Sequence, residues 1–338
     1  MKLIIRAATL QDIDPMLEMT RSVTPGLTTL RVDRPRLLER IERSHFAFTR
    51  QSEGPGGEPY VLVMEDQTSG QLIGTAAVYG KSGGYEPIYV YRVVATRHDC
   101  PPLGIHNQQR QTLHLQRIYD GPTVIGSLFL LPDYRGGGRG RFLSRSRFML
   151  LAQRPGRFAD RVVAEMRGRC DEHGVSPFWE AVMRPFFQVD FPVADAMSTI
   201  AKTFIEELIP PFPIPLELLP RGAREVIRQV HPETEPAVKL LNGEGFTATD
   251  MIDIFDAGPV LECKTTNIRS VAACRRQVVQ VTSDELPGPV AMLASRTGGF
   301  RCVQAAIDMA ASETNGRISQ ETAERLDVTN GDSIWVLP

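Results

Sequence analysis

Residues 123–153 read TVIGSLFLLPDYRGGGRGRFLSRSRFMLLAQ and combine three segments of different character. The apolar run 123–131 is typical of a buried β-strand, and the pattern of 140–153 is that of a helix. Between them lies the loop Arg135-Gly136-Gly137-Gly138-Arg139-Gly140. Glycines let the backbone approach an anion closely, and the N-terminus of a helix adds partial positive charge. The stretch therefore predicts a phosphate-binding loop.

Two other kinds of phosphate-binding loop, the P-loop and the Rossmann loop, do not fit these glycines. A P-loop needs a lysine followed by serine or threonine after the glycines, and neither pair is present. A Rossmann loop lies early in a βαβ unit, whereas this loop follows several antiparallel-looking strands. Arg135, Gly138 and Gly140 fit the spacing R-x-x-G-x-G. Taken alone, the loop could equally be a glycine-rich surface turn before an amphipathic helix.

The segments before and after the loop predict a mixed sheet. Residues 4–8 indicate a strand, and Thr9 is a suitable N-cap for a helix that reaches Met19. The runs 60–66 and 72–79 have strand composition and are joined by the turn-like 67–71, so they predict a hairpin. Further strands are predicted at 88–94 and 158–166.

The composition excludes several classes of function. The 338 residues carry a net charge of -2, which gives no general reason to expect nucleic acid or a membrane as partner. No apolar run is long enough to span a bilayer. The five cysteines are odd in number and show no C-x-x-C spacing, so neither a disulfide framework nor a zinc site is indicated. We expect reduced cysteines, a cytoplasmic protein and no bound metal.

A second motif lies far downstream. Residues 237–246 read AVKLLNGEGF and resemble the A-x-x-L-x-x-x-x-G-F signature of motif B in the GNAT-type acyltransferases. The glycine loop resembles motif A of that superfamily, which holds the pyrophosphate of coenzyme A. The resemblance implies an α+β fold with a mixed, mostly antiparallel sheet flanked by helices. An ordinary helix with a glycine C-cap would explain the second motif alone.

Further segments narrow the resemblance to the arginine N-succinyltransferase family, which includes arginine/ornithine succinyltransferase subunits. They are LFL at 128–130, PD at 132–133, LSRSRFM at 143–149, VVAEMRG at 162–168, DEHG at 171–174, SPFW at 176–179, QVHP at 229–232, MIDIFD at 251–256 and GP at 258–259. The family usually has tyrosine where Met251 stands and glycine where Ala257 stands. The resemblance fades after about Arg269.

The resemblance implies that the succinyl group of succinyl-CoA moves to the α-amine of L-arginine by direct attack on the thioester. It implies that His231 is the proton donor and that Leu128 contacts succinyl-CoA, which is a co-substrate rather than a prosthetic group. It also suggests a homodimer or a hetero-oligomer with a related subunit. Ornithine or another amine as acceptor, another acyl donor, and a non-catalytic partner subunit remain open.

Other polar residues are weaker candidates. Glu165 could be a general base, although Arg167 lies two residues on and could pair with it as a structural ion pair. Asp253 and Asp256 could bind the guanidinium of arginine, or could simply face solvent. The segment containing His106 and Asn107 resembles a family segment and could line the site or form a turn; a capping role is the alternative for His231.

The predicted organisation has four parts. Residues 1–168 form the acyl-CoA-binding core, and 231–265 complete it with the motif B helix. The proline-rich and aromatic segment 169–230 is predicted to be a helical insertion that covers the acceptor and excludes water. Residues 266–338 form a small, mostly β module.

Overall fold

The computed structural model describes residues 1–21, 32–171, 174–198, 203–209, 211–283, 286, 289–309 and 314–338. Within these ranges, fifteen strands form one sheet in the order β14-β11-β15-β12-β13-β1-β2-β3-β6-β7-β10-β9-β4-β5-β8. The strands are β1 Leu3–Ala7, β2 Pro59–Asp66, β3 Gln71–Tyr79, β4 Gly83–Cys100, β5 Ile105–Asp120, β6 Thr123–Leu130, β7 Arg161–Glu165, β8 Ile214–Pro215, β9 Thr247–Asp253, β10 Pro259–Lys264, β11 Arg275–Thr282, β12 Val290–Ser295, β13 Arg301–Ala306, β14 Asn315–Ser319 and β15 Ser333–Leu337.

Helices cover both faces of the sheet. The α-helices of the described ranges are α1 Ile13–Thr20, α2 Arg34–Thr49, α3 Arg139–Gln153, α4 Arg184–Phe187, α5 Phe191–Ser198, α6 Thr203–Leu208, α7 Arg221–Glu225, α8 Glu235–Glu244, α9 Arg269–Ala273 and α10 Gln320–Leu326. In the described ranges, none of them is long and apolar enough to cross a membrane. The predicted α+β class with a mostly antiparallel sheet is confirmed, since most of the strand pairs are antiparallel.

Strands β6 and β7 form a parallel pair that opens into a gap. They are paired only at Thr123 with Val162 and at Val124 with Val163. Beyond that point β6 continues to Leu130 and is held on its other side by β3. The pair therefore leaves a gap in the sheet, next to the start of α3.

A β-bulge interrupts β6 within this gap. The pairing with β3 shifts register between Thr75, opposite Phe129, and Ala77, opposite Gly126. Ser127 lies in the bulge with φ 51, in the left-handed region. The extra residue reverses the side-chain alternation: Ile125 and Leu128 pack on the α3 side, while Phe129 packs among the side chains of α1 and α2.

The insertion packs on the α3 side of the sheet, but over other strands. Phe178 and Trp179 share a hydrophobic core with Tyr91 of β4, Leu113 of β5 and Ile252 of β9. β4 and β5 form a hairpin much longer than the strand predicted at 88–94. The residues toward the tip of this hairpin are largely exposed. β5 was not predicted, because its polar sequence shows no clear alternation of apolar residues.

The C-terminal strands extend the same sheet. β13 pairs with β1, which joins β11–β15 to the strands of the core. Met292, Phe300 and Cys302 belong to the same hydrophobic cluster as Met149 of α3. Helix α3 is consequently buried on almost all sides.

Candidate active site

The glycine loop has the geometry of an anion-binding site. Gly136, Gly137 and Gly138 have φ values of 95, 56 and 79, a conformation that glycine adopts without a steric cost. Helix α3 begins at Arg139, one residue earlier than predicted, and no side chain caps its N-terminus. Backbone N–H groups and the positive end of the helix therefore face the loop, which is what a phosphate group requires.

A cleft of about 540 Å³ opens beside this loop. One wall is formed by the end of β6 and the loop, and the other by Arg167 and the first turns of α8. The lining residues are Leu128, Phe129, Leu130, Pro132, Arg135, Gly136, Gly140, Arg167, Glu233, Thr234, Pro236, Ala237 and Leu240. The structure thus brings together the predicted Leu128, Arg135, Gly136, Gly140 and Arg167, and Gly137, Gly138 and Arg139 belong to the same loop.

His231 is held beside the cleft by backbone contacts. Its N–H donates to the carbonyl of Arg167 at 2.9 Å, and Gly168 forms a β-bridge with Val230. The imidazole Nδ1 accepts a hydrogen bond from the N–H of Glu233 at 3.3 Å. In the neutral ring this leaves the proton on Nε2. Burial, together with the nearby Arg167 charge, lowers the pKa of His231 below its ordinary value, so the neutral form prevails at pH 7.

Arg167 carries a buried charge into the cleft. Its side chain is 8% exposed, and NH1 lies 3.5 Å from the carboxylate of Glu233. The guanidinium Nε has no hydrogen-bond partner among the described residues.

β7 ends at Glu165, which is exposed and faces the same side of the sheet as its pairing partner Val260. That face is opposite to the one covered by α3, since Ala164 packs on the α3 side.

Asp253 and Asp256 bind backbone groups of their own turn. Asp256 accepts hydrogen bonds from the N–H of Gly168 at 2.7 Å and of Gly258 at 2.8 Å. Asp253 Oδ1 accepts from the N–H groups of Phe255 and Asp256, and burial raises the pKa of its carboxyl. These contacts assign both carboxylates to the turn between β9 and β10. We therefore revise their predicted role in binding a guanidinium.

His106 and Asn107 lie near the tip of the β4–β5 hairpin. Asn107 has φ 52, and its N–H donates to Asp99 at 2.7 Å, which is a turn role. β5 is four strands away from β7 in the sheet, roughly 19 Å at the usual strand spacing. The structure therefore separates this pair from the cleft, and the predicted lining role is revised.

Several residues around the cleft were not predicted from the sequence. Glu233, Thr234 and Pro236 line it directly after His231, and Ser127 lies in the bulge of the strand that borders it. The signal for the bulge is the pair Gly126-Ser127, which interrupts an otherwise apolar strand. In the ranges that the structure describes, no group of His, Cys, Asp and Glu side chains could hold a metal ion.

The mixed, mostly antiparallel sheet, the glycine loop at a helix N-terminus and the second helix across the cleft agree with the GNAT-type fold that the sequence predicts. Comparisons with known proteins specify the family. The profile "Arginine N-succinyltransferase beta subunit" matches residues 3–270, and the profile of its C-terminal domain matches 275–338. The chain belongs to the arginine N-succinyltransferase family.

Individual relatives agree with this assignment. The arginine N-succinyltransferase subunit beta of Pseudomonas aeruginosa is 38% identical over 99% of this chain and 98% of its own. The arginine N-succinyltransferase of Shigella dysenteriae is 41% identical over 81% of this chain and 79% of its own. The solved arginine/ornithine succinyltransferase subunit AI of Pseudomonas aeruginosa superposes with a TM-score of 0.88 and 32% identity, covering 99% of this chain and 98% of that one.

Proposed function

We propose that this protein transfers the succinyl group of succinyl-CoA to the α-amine of L-arginine, the first step of succinyl-dependent arginine degradation. The observation that carries the proposal is the cleft of about 540 Å³ that runs from the glycine loop to Leu128. The cleft has a glycine loop at one end and is lined by a cation and an apolar wall. This lining suits an elongated thioester with a pyrophosphate at one end. The family supplies the identity of the acyl group and of the acceptor.

Coenzyme A is held mainly by the backbone in this proposal. The amides of Gly136, Gly137, Gly138 and Gly140 and the N-terminus of α3 bind its pyrophosphate, with Arg135 and Arg139 adding positive charge. Pro236, Ala237 and Leu240 form the apolar wall opposite. Arg167 supplies a cation near the acyl end, where its buried guanidinium gains from an anionic partner.

The acyl transfer itself is a direct displacement. The bulge leaves backbone groups of β6 outside the regular ladder, and the amide of Leu128 donates to the thioester oxygen as negative charge develops there. The amine attacks the thioester carbon, the tetrahedral intermediate collapses, and the C–S bond breaks. The imidazolium form of His231 gives the proton of Nε2, the nitrogen that does not face the N–H of Glu233, to the leaving sulfur, so coenzyme A departs as the thiol and the ring becomes neutral. The nitrogen of the new amide releases its extra proton to water.

Glu165 is the proposed acceptor of the ammonium proton. It lies at the end of β7, where the gap opens, and faces the side of the sheet opposite to α3. An amine that reaches the gap from that side would meet this carboxylate before the thioester. Asp256 fixes the end of β7 through Gly168 and so acts as a positioning residue.

Ornithine is the second candidate acceptor, because the solved relative is described as an arginine/ornithine succinyltransferase subunit. We also propose a cytoplasmic enzyme that works as a homodimer or with a related subunit. The five cysteines are unpaired, which agrees with a reducing compartment.

A thiol-release assay tests the proposed function. Succinyl-CoA and acetyl-CoA are each offered with arginine, ornithine and lysine, and the products are identified by mass. We expect release with succinyl-CoA and arginine, with N-succinylarginine as product. Faster release with acetyl-CoA or with ornithine would reassign the donor or the acceptor. No release with any pair, by a correctly folded protein, would favour a non-catalytic partner subunit.

A further inference from the structure

Consecutive side chains of a strand face opposite sides of the sheet, and the bulge in β6 decides which side Ser127 and Leu128 each face. Leu128 lines the cleft on the α3 side. Ser127 lines a small cavity on the other side, together with residues of α1 and α2. Both lie beyond Val124, where β6 and β7 separate. The cleft and the Ser127 cavity therefore lie on the two faces of the sheet at the same point of β6.

Ser127 is held in an unfavourable state. Its φ of 51 is a left-handed conformation that glycine adopts far more readily than serine. Its Oγ is buried and has no hydrogen-bond partner among the described residues. A strained backbone and an unsatisfied hydroxyl each cost free energy. Two such costs at one residue beside a reaction centre indicate that the hydroxyl has a ligand during turnover.

The cavity around Ser127 has the chemistry of a carboxylate site. Besides apolar side chains, it is lined by Thr20, Thr75 and the guanidinium-bearing Arg40. The hydroxyls of Thr20 and Thr75 already donate to the carbonyls of Leu17 and Leu62. Ser127 Oγ–H remains as a neutral donor, while an arginine has five N–H donors and can serve more than one acceptor.

The size of the cavity restricts the ligand. Its volume of about 10 Å³ is room for roughly one water-sized group, and a single carboxylate oxygen is of that size. Both substrates of the proposed reaction carry a carboxylate near the reacting atoms. In arginine it is attached to the carbon that bears the amine. In the succinyl group, two methylene groups separate it from the thioester carbon.

We propose that Ser127 Oγ and the Arg40 guanidinium bind a substrate carboxylate on the side of the sheet opposite to coenzyme A. This inference rests on the proposed function and adds a specificity site to it. Glu165, the proposed proton acceptor, faces the same side of the sheet. The enzyme would thereby select a substrate with a carboxylate at the position that the bulge defines.

The test compares matched substrates with and without each carboxylate. Succinyl transfer to arginine by the unsubstituted protein is measured first, which decides the proposed function independently. The variants Ser127→Ala and Arg40→Gln are then assayed with three pairs: succinyl-CoA with arginine, succinyl-CoA with L-argininamide, and butyryl-CoA with arginine. Arg43→Gln, an exposed arginine on the same helix, is the control.

We expect Ser127→Ala to lower kcat/KM for succinyl-CoA with arginine roughly 10- to 100-fold, the effect of one hydrogen bond to a charged group. The loss should disappear with argininamide if the site binds the acceptor, or with butyryl-CoA if it binds the donor. Arg40→Gln should follow the same pattern, and Arg43→Gln should have no effect. Where a neutral analogue turns over too slowly, its competitive inhibition constant replaces kcat/KM.

Two outcomes would overturn the proposal. Equal losses with all three pairs would mean that Ser127 acts on the thioester or on the fold, and unchanged kcat/KM would mean that it binds no substrate. Thermal unfolding of each variant separates a folding defect from a loss of binding. Neither outcome affects the assignment of the succinyl transfer itself.

Discussion

At the scale of single residues, backbone groups hold the candidate side chains near the cleft. His231 is fixed through its own N–H and through Nδ1, and Asp256 through the amides of Gly168 and Gly258. Backbone donors are part of the sheet and its turns, so they do not lose rotamer entropy when they bind. This makes the geometry of the site depend on the register of neighbouring strands.

The first prediction concerns His231. His231→Asn keeps a side chain of similar reach but removes the imidazole, so kcat should fall by about 100-fold or more, the usual contribution of acid–base catalysis. The KM for succinyl-CoA should change little, because proton transfer to the leaving sulfur stabilises the transition state and not the bound substrate. Steady-state kinetics of succinyl-CoA with arginine measures both constants.

The pH profile is the readout that a merely structural histidine would not alter. Because a proton donor acts in its protonated form and the pKa of His231 is lowered, kcat/KM should fall as the pH rises through a value below 6.5, where the imidazolium is lost. His231→Asn should lack this dependence on pH. His45→Asn, on the exposed side of α2, is the control. Near-normal kcat in His231→Asn would exclude the catalytic role.

The second prediction concerns a buried charge. Arg147 of α3 is 2% exposed, its guanidinium donates to the carbonyl and hydroxyl of Ser144, and burial lowers its pKa to about 10. That shift corresponds to about 3 kcal/mol, and two hydrogen bonds of about 1 kcal/mol each offset part of it. Arg147→Met should therefore raise the free energy of unfolding by about 1 kcal/mol.

Urea unfolding measures this change, and Arg147→Ala serves as the counterpart. The alanine variant leaves a cavity and should be less stable than the methionine variant. Activity should not change in Arg147→Met, because the side chain does not line the cleft. A clear loss of stability in Arg147→Met would show that the charge has a stabilising role that burial does not reveal.

At the scale of elements, the end of β7 and the turn between β9 and β10 approach too closely for side chains. A Cβ on Gly258 would lie 1.9 Å from the carbonyl oxygen of Met166, and one on Gly168 would lie 2.2 Å from that of Asp256. Both neighbours are backbone atoms. The glycines therefore allow the contact that orients Arg167 and, through it, His231.

The third prediction tests this contact with Gly258→Ala. The added methyl must push β7 away from the turn, which should cost about 1–3 kcal/mol of stability and lower kcat at least 10-fold by displacing His231. Gly243→Ala is the matched control, since nothing lies within 4 Å of a Cβ on this residue of α8. It should be slightly stabilising. Unchanged kcat in Gly258→Ala would disprove the positioning role.

At the scale of the whole molecule, the C-terminal strands are part of one structure with the catalytic core. β13 continues the sheet through β1, and Arg325 of α10 donates to the carbonyl of Leu3 at 2.6 Å. Side chains of β12, β13 and β15 share a hydrophobic cluster with α3. Removing residues 275–338 would expose the outer face of the helix that carries the glycine loop.

The fourth prediction uses the two tryptophans as probes. Trp179 lies in the core of the insertion and Trp335 in β15. Variants Trp335→Phe and Trp179→Phe each leave one tryptophan, and their fluorescence should report the same midpoint of urea unfolding if the molecule unfolds cooperatively. Circular dichroism of the same samples is the control. Separate midpoints would show that the insertion or the C-terminal strands unfold as an independent unit.

Local patterns predicted much of the fold. The strand, loop and helix of 123–153, the hairpin of β2 and β3, and the helix preceding Gly245 follow from apolar periodicity and from glycine positions. The length of the β4–β5 hairpin was underestimated. Its strands are stabilised by pairing with each other and by the core of the insertion, and not by a strand pattern in their own sequence. The backbone contacts of Asp253 and Asp256 could not be predicted for the same reason, since tertiary structure brings their partners to them.

The sequence by itself indicated the family and predicted the glycine loop at the start of a helix, because glycine positions and motif spacing are local properties of the chain. Only the tertiary structure decided how the site is assembled. A bridge between Gly168 and Val230 brings His231 to the end of β7, and the register of β6 against β3 creates the bulge at Ser127. Both depend on pairing between distant segments, which no local pattern encodes.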